Sequence, residues 1–103
     1  MAPAAAMKVR WMHLAEHDLE AAFDYVRQEN EDAARVLVER ILSAVGMLGC
    51  HPHAGREGRL KGTRELVLAG TPYLAVYRIH RDTVQILAIL HAARRWPSGF
   101  DGG

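Results

Sequence analysis

Between Gly55 and Trp96 the chain carries Arg56, Arg59, Arg64, Arg78, Arg81, Arg94 and Arg95. A guanidinium is a permanent cation whose planar fork of donors matches carboxylates and phosphates, so such a density of them calls for something anionic. The chemistry it could serve is RNA cleavage. A metal-free ribonuclease needs a base for the 2′-hydroxyl, an acid for the leaving oxygen and cations for the phosphorane. Arg59, Arg64, Arg78 and Arg94 are the candidate cations, His91 the candidate acid, and Glu57 or Glu65 the candidate base. The sequence offers plenty of phosphate-binding cations but no well-paired acid and base. That balance leans towards holding an anion rather than cutting one, and a histidine at a strand end is more often structural than catalytic.

Other chemistries have less behind them. His51-Pro52-His53 beside Cys50 puts three potential ligands into four residues. Clusters so short rarely close a tetrahedral metal site without ligands from elsewhere, and a polar loop is the simpler reading. Cys50, the only cysteine, follows a helical segment, where the C-terminal dipole raises rather than lowers a thiol pKa, and no oxyanion hole is evident. Neither GxSxG, a Walker sequence nor GxGxxG occurs, and Gly55-Arg56-Glu57-Gly58 is too short for any of them. We expect no metal, no cofactor and no small-molecule substrate.

The elements that must position the arginines are legible. Arg64–Ala69, Tyr73–His80 and Thr83–Leu90 are apolar runs rich in β-branched and aromatic residues. Ala69-Gly70-Thr71-Pro72 separates the first two, and Arg81-Asp82 the others, so short antiparallel connections make a three-stranded meander. The second turn lacks glycine; a tight primed turn puts Arg81 or Asp82 at positive φ at a cost of roughly 1 kcal/mol. Both faces of Tyr73–His80 are fairly apolar, which suits a central strand covered on both sides. Cys50–Gly62 reads as a loop, and Lys8–Met12 as a short edge strand.

Two helices precede the meander. Ala15, Leu19, Ala22, Phe23 and Val26 recur on one face over Leu14–Glu29. Asn30 can cap a second helix, with Glu31 and Asp32 in its first turn and Ala34, Leu37, Ile41, Ala44, Val45 and Leu48 on its apolar face; Gly49 and Pro52 stop it. Val36 and Val38 broaden that face. The short link implies an antiparallel hairpin laid on the sheet, giving an α+β domain of order β-αα-βββ.

At 103 residues the chain is one domain, with half its residues hydrophobic and no apolar run long enough to cross a membrane as a helix. The ends, residues 1–6 and 98–103, are expected to be disordered, and Met7 is an alternative start. With one cysteine and no leader pattern, a cytoplasmic protein is expected. The net charge of +1 hides a division: His13–Gly49 holds eight acids against three bases, Arg56–Arg95 eight bases against three acids. The basic block either meets an anionic partner or is compensated within the fold.

Gly58-Arg59, Gly62-Thr63-Arg64-Glu65-Leu66, Thr71-Pro72-Tyr73, Val76-Tyr77-Arg78 and Leu90-His91-Ala92-Ala93-Arg94, together with Asp18-Leu19, Tyr25-Val26 and Ala33-Ala34 on the helices, resemble the ParE branch of the RelE/ParE superfamily of bacterial toxins. The resemblance spans about residues 7–97. It departs at Arg81, where the family often has glycine. It implies a helical hairpin on a twisted antiparallel sheet and the toxin half of a type II toxin–antitoxin pair. It also implies inhibition of DNA gyrase without catalysis, and neutralisation by a ParD-like antitoxin. The alternatives are a RelE-like mRNA endoribonuclease and a degenerate toxin that keeps only antitoxin binding. On this reading carboxylates of the antitoxin meet Arg56, Arg59, Arg64 and Arg78. The tail His91, Arg94, Arg95 and Trp96 contacts the target, since arginine and tryptophan dominate binding hot spots.

Overall fold

The computed structural model describes residues 6–93. Strand β1 (Lys8–Trp11) leads into helix α1 (His13–Arg27) and helix α2 (Glu31–Gly46), closed by a 3₁₀ turn at Met47–Gly49. Strands β2 (Arg56–Glu57), β3 (Arg64–Val67), β4 (Tyr73–His80) and β5 (Thr83–His91) follow. They form one five-stranded sheet in the order β1-β5-β4-β3-β2.

The antiparallel meander β3-β4-β5 and the helical hairpin are as expected, and the differences lie at the sheet edges. β1 pairs with β5 in parallel, Lys8 opposite Thr83 and Trp11 opposite Ile86, so the sheet is mixed rather than wholly antiparallel. A parallel neighbour needs a long connection, and the two helices and the meander supply it. Within the expected loop Cys50–Gly62, Arg56 and Glu57 instead pair with Glu65 and Arg64 as strand β2. Two residues are too short for a period-two pattern to register.

Each element forms for local reasons that packing then uses. Asn30 caps α2 as expected, its side-chain oxygen accepting from the Ala33 amide at 3.0 Å. Leu37, Ile41 and Val45 of α2, with Leu48 just beyond it, are buried against Tyr73, Ala75, Tyr77, Val84, Ile86 and Ile89 of the sheet, and Ala34 is buried as well. Helix α1 adds Ala15 and Ala22, with Leu19 and Val26 at the margin. Val36 does not broaden the buried face; it is 42% exposed. The β4–β5 turn places Arg81 at φ 57°, as a two-residue link requires.

The two faces of the sheet differ. Strand alternation sends Tyr73, Ala75 and Tyr77 towards the helices and Leu74 and Val76 away from them. Leu74, Val76, Ala88 and Leu90 form a second apolar cluster on the outer face. Near the β4–β5 turn that face becomes polar, because Arg78 and His80 are exposed. The expectation of a strand buried on both sides thus holds for Tyr73–Tyr77 and fails beyond it.

Candidate functional site

The arginine-rich corner is built around two side chains from the interior. The hydroxyl of Tyr77, fully buried, donates to the Pro52 carbonyl at 2.8 Å and accepts from the Gly55 amide at 2.9 Å. The 52–55 segment is thereby tied to the middle of β4. Gly55 must be glycine: a Cβ there would lie 2.7 Å from the Tyr77 hydroxyl and 2.9 Å from the Glu65 carbonyl oxygen. Burial holds the Tyr77 phenol above its ordinary pKa, partly opposed by the Gly55 hydrogen bond and by Arg64, so it stays a donor at neutral pH.

Glu65 is the second centre. It is 3% exposed; one carboxylate oxygen accepts the Arg59 amide at 2.8 Å and the other lies 3.5 Å from the Arg56 guanidinium. Burying a carboxylate is costly unless it is bonded, and these contacts meet that need. The 58–63 segment folds back on itself through the Gly58 amide to the Thr63 carbonyl at 2.8 Å. Arg64 donates to the Gly55 carbonyl at 2.7 Å.

The expected site residues are therefore only partly gathered. Arg56, Arg59 and Arg64 share one corner. Arg56 keeps a largely exposed side chain beside Glu65, while the Arg64 guanidinium is engaged with the loop backbone. Arg78 lies on the outer face, its Nε donating to Gln85 at 2.6 Å. His91 is at the far end of β5, opposite Tyr73, whose ring meets it edge-on at 5.3 Å; its Nδ1 accepts from the Ala93 amide at 3.2 Å. Arg64 pairs with Tyr77, four residues along β4 from Tyr73, or about 13 Å at strand rise. The candidate acid and base thus sit apart, and Glu65 is committed to holding the corner. Arg94, Arg95 and Trp96 lie outside the described residues. Among the described residues no group of three or more His, Cys, Asp or Glu gathers as a metal site.

Two further features went unread in sequence. An apolar groove of about 400 Å³ opens between the hairpin and the β3–β4 turn, lined in part by Tyr25, Val36, Leu37, Arg40, Tyr73 and His91. Arg40 anchors its rim by donating to the Gly70 carbonyl at 3.0 Å. The other is Asp18. β1 stops at Trp11, so the edge of β5 beyond Ile86 lacks a strand partner there, and Asp18 of α1 accepts the Ile89 amide at 3.0 Å. This contact lies by the irregularity where Val76 pairs with Ala88 but Tyr77 with Ile86.

Burial raises the Asp18 pKa from 3.8, against the lowering effects of the Ile89 hydrogen bond and of His17. A raised value means that the fold favours the protonated acid. Stability from this group is therefore greatest below pH 3.8 and falls as pH rises towards the higher folded value. Asp18→Asn keeps an acceptor without the charge. In thermal melts it should gain on the wild type as pH rises from acid to neutral, whereas Asp18→Ala, which leaves the amide unpaired, should be less stable throughout. An Asn variant that loses ground with rising pH would show that the charge contributes favourably.

The comparisons with known proteins agree with this architecture. The family described as "ParE toxin of type II toxin-antitoxin system, parDE" matches residues 9–96. The chain belongs to the ParE toxin family. It is 46% identical over 90 residues to a putative toxin of Sinorhizobium fredii, covering 87% of this chain and 93% of that protein. It is 36% identical over 87 residues to toxin RelE2 of Caulobacter vibrioides, covering 84% and 97%. Among solved structures, a chain of the chromosomal ParDE toxin–antitoxin system of P. aeruginosa superposes with a TM-score of 0.75 at 31% identity, covering 84% of this chain and 96% of that one. A chain of the RelBE2 toxin–antitoxin complex of Mycobacterium tuberculosis gives 0.57 at 22% identity, with 91% and 100% covered, and shares the fold. This ParE-family chain is thus a toxin of a type II toxin–antitoxin system, with the α+β fold of its relatives.

Proposed function

We propose that this ParE-family toxin arrests growth by inhibiting DNA gyrase, without catalysis of its own, and that a ParD-like antitoxin neutralises it. The observation that carries the reading is the match of the ParE family across residues 9–96. The geometry supports it: the acid and base that RNA cleavage needs are not assembled. His91 and Arg64 are separated along the meander, and Glu65 is buried under Arg56 and the Arg59 amide. The antitoxin, a segment that orders on binding, lays apolar side chains into the groove beside Tyr25 and Val36 and carboxylates against Arg56 and its neighbours Arg59 and Arg64, with Arg78 reached across the sheet. The tail from His91 through Arg94, Arg95 and Trp96 meets the target.

Purified toxin added to gyrase should block supercoiling or trap cleavage complexes, and the antitoxin from the same operon should restore activity. The same toxin, added to translating ribosomes, should leave mRNA intact. Site-specific mRNA cuts that disappear in His91→Ala would overturn the gyrase reading in favour of a RelE-like ribonuclease. The likeness to toxin RelE2 of Caulobacter vibrioides is the reason to run that arm.

A further inference from the structure

The pairing register gathers cations that the linear sequence scatters. Lys8 pairs with Thr83, and Thr83 with His80; Arg10 pairs with Gln85, and Gln85 with Arg78. Val9 and Trp11 pack towards the helices, so alternation sends Lys8 and Arg10 to the outer face. Arg81 joins them from the β4–β5 turn. Lys8, Arg10, Arg78, His80 and Arg81 are all exposed. Two rows result, about 4.8 Å from strand to strand, with about 6.7 Å between rows. Lys8, Arg10, His80 and Arg81, with Glu16 at the margin, border a shallow depression of about 850 Å³.

The acids nearby do not neutralise this patch. Glu16 faces His13 at 3.7 Å, and Asp82 takes a hydrogen bond from the Thr83 hydroxyl. Arg78 is bonded to the neutral Gln85 amide. Among the described residues, none of Lys8, Arg10 and Arg81 forms an ion pair. Arg81 also occupies a positive-φ position that glycine would fill with less strain.

We infer that this outer-face patch of Lys8, Arg10, Arg78, His80 and Arg81 binds the phosphate backbone of duplex DNA. The rows run along an open sheet face, which suits an extended polyanion better than a compact ligand. Val9 and Trp11 also line the depression but pack towards the helices, so the outward rows themselves are polar, and exposed charge pairs alone bind an acidic peptide weakly. A polyphosphate gains additionally from counterion release. Because Trp11, though it lines the depression, packs against the helix-side core, among the described residues the outer-face rows present no tryptophan, tyrosine or phenylalanine ring to stack the bases of a single strand. Contacts of this kind carry no base specificity. The inference goes beyond the gyrase reading and does not need it, because DNA alone suffices for the test.

The test is a titration of a fluorescein-labelled mixed-sequence DNA duplex with the full chain over a range of salt concentrations. Lys8→Ala with Arg10→Ala should lower the slope of log affinity against log salt by about 1.8, one increment of about 0.9 for each phosphate no longer neutralised, and weaken binding by at least about tenfold at low salt. Arg81→Gly removes a charge while relieving the backbone, so it should bind DNA less tightly yet melt no lower than wild type. Weakened binding with an undiminished melting temperature separates a direct role in binding from misfolding. Four results would overturn the inference: no binding at low salt, an unchanged slope in the double variant, tighter binding of single-stranded RNA, or equal binding of polyglutamate. A double variant that loses DNA binding yet still inhibits gyrase would support this inference and leave the gyrase reading standing. A wild-type chain that inhibits gyrase without binding DNA alone would overturn this inference only.

Discussion

Tyr77→Ala should cost this toxin about 4 kcal/mol of stability, a large share of the total for a domain this small. Tyr77 is the largest fully buried side chain of the core, and its ring packs where β4 meets the helices. Its hydroxyl also ties β4 to the 52–55 segment, satisfying both a carbonyl and an amide there. Tyr77→Phe separates the two roles. It keeps the ring but leaves the Pro52 carbonyl and the Gly55 amide without their partner, at about 2 kcal/mol. Equilibrium denaturation of the three proteins checks the order. The gap between wild type and Tyr77→Phe should also narrow as pH climbs through 10.0, because the unfolded chain ionises its tyrosine before the folded one does. A Phe variant as stable as wild type would mean that solvent replaces the hydroxyl without cost.

Arg94→Ala with Arg95→Ala should reduce growth inhibition sharply while leaving fold and antitoxin binding intact. The pair precedes Trp96 in the tail proposed to meet the target. Truncating one hot-spot arginine typically costs about 2 kcal/mol or more, about thirtyfold in affinity, and two adjacent ones compound the effect. Substitutions of surface charge cost about 0.5 kcal/mol in stability, so the melting temperature should stay near that of wild type. Induced expression with a viability count, alongside antitoxin pull-down and a thermal melt, reads all three properties. A double mutant that remains fully toxic would make the tail structural and move attention to the Arg56–Arg64 corner.

The fold is legible where side-chain periodicity is strong. The face of α2 from Ala34 to Leu48 repeats every three or four residues, and most of those positions are buried. The cap at Asn30 and the positive φ at Arg81 are also predictable, because each follows from chemistry within a few residues. The corner is less so. In sequence Arg56, Arg59 and Arg64 read as partners of external carboxylates, yet Glu65 lies among them and Arg64 turns to the Gly55 carbonyl. A lone buried glutamate gives no signal in composition, since only its neighbours make burial tolerable. The Tyr77 hydroxyl is hidden in the same way: in an apolar strand, tyrosine reads as one more aromatic.

By itself the sequence determined the two amphipathic helices, the three runs of the meander and their order, and enough motif to place the chain among ParE toxins, but not strand β2. All of these depend on residues close together along the chain. Tertiary structure alone decided that β1 returns to lie parallel to β5, across the whole length of the hairpin and meander. Parallel pairing over that distance leaves no turn signature, and its consequences are equally non-local. It brings Lys8 and Arg10 beside Arg78 and His80, and its short length leaves the Ile89 amide for Asp18 to satisfy. Contacts between residues so far apart depend on which faces the packed core turns inward, and no local rule of spacing encodes that choice.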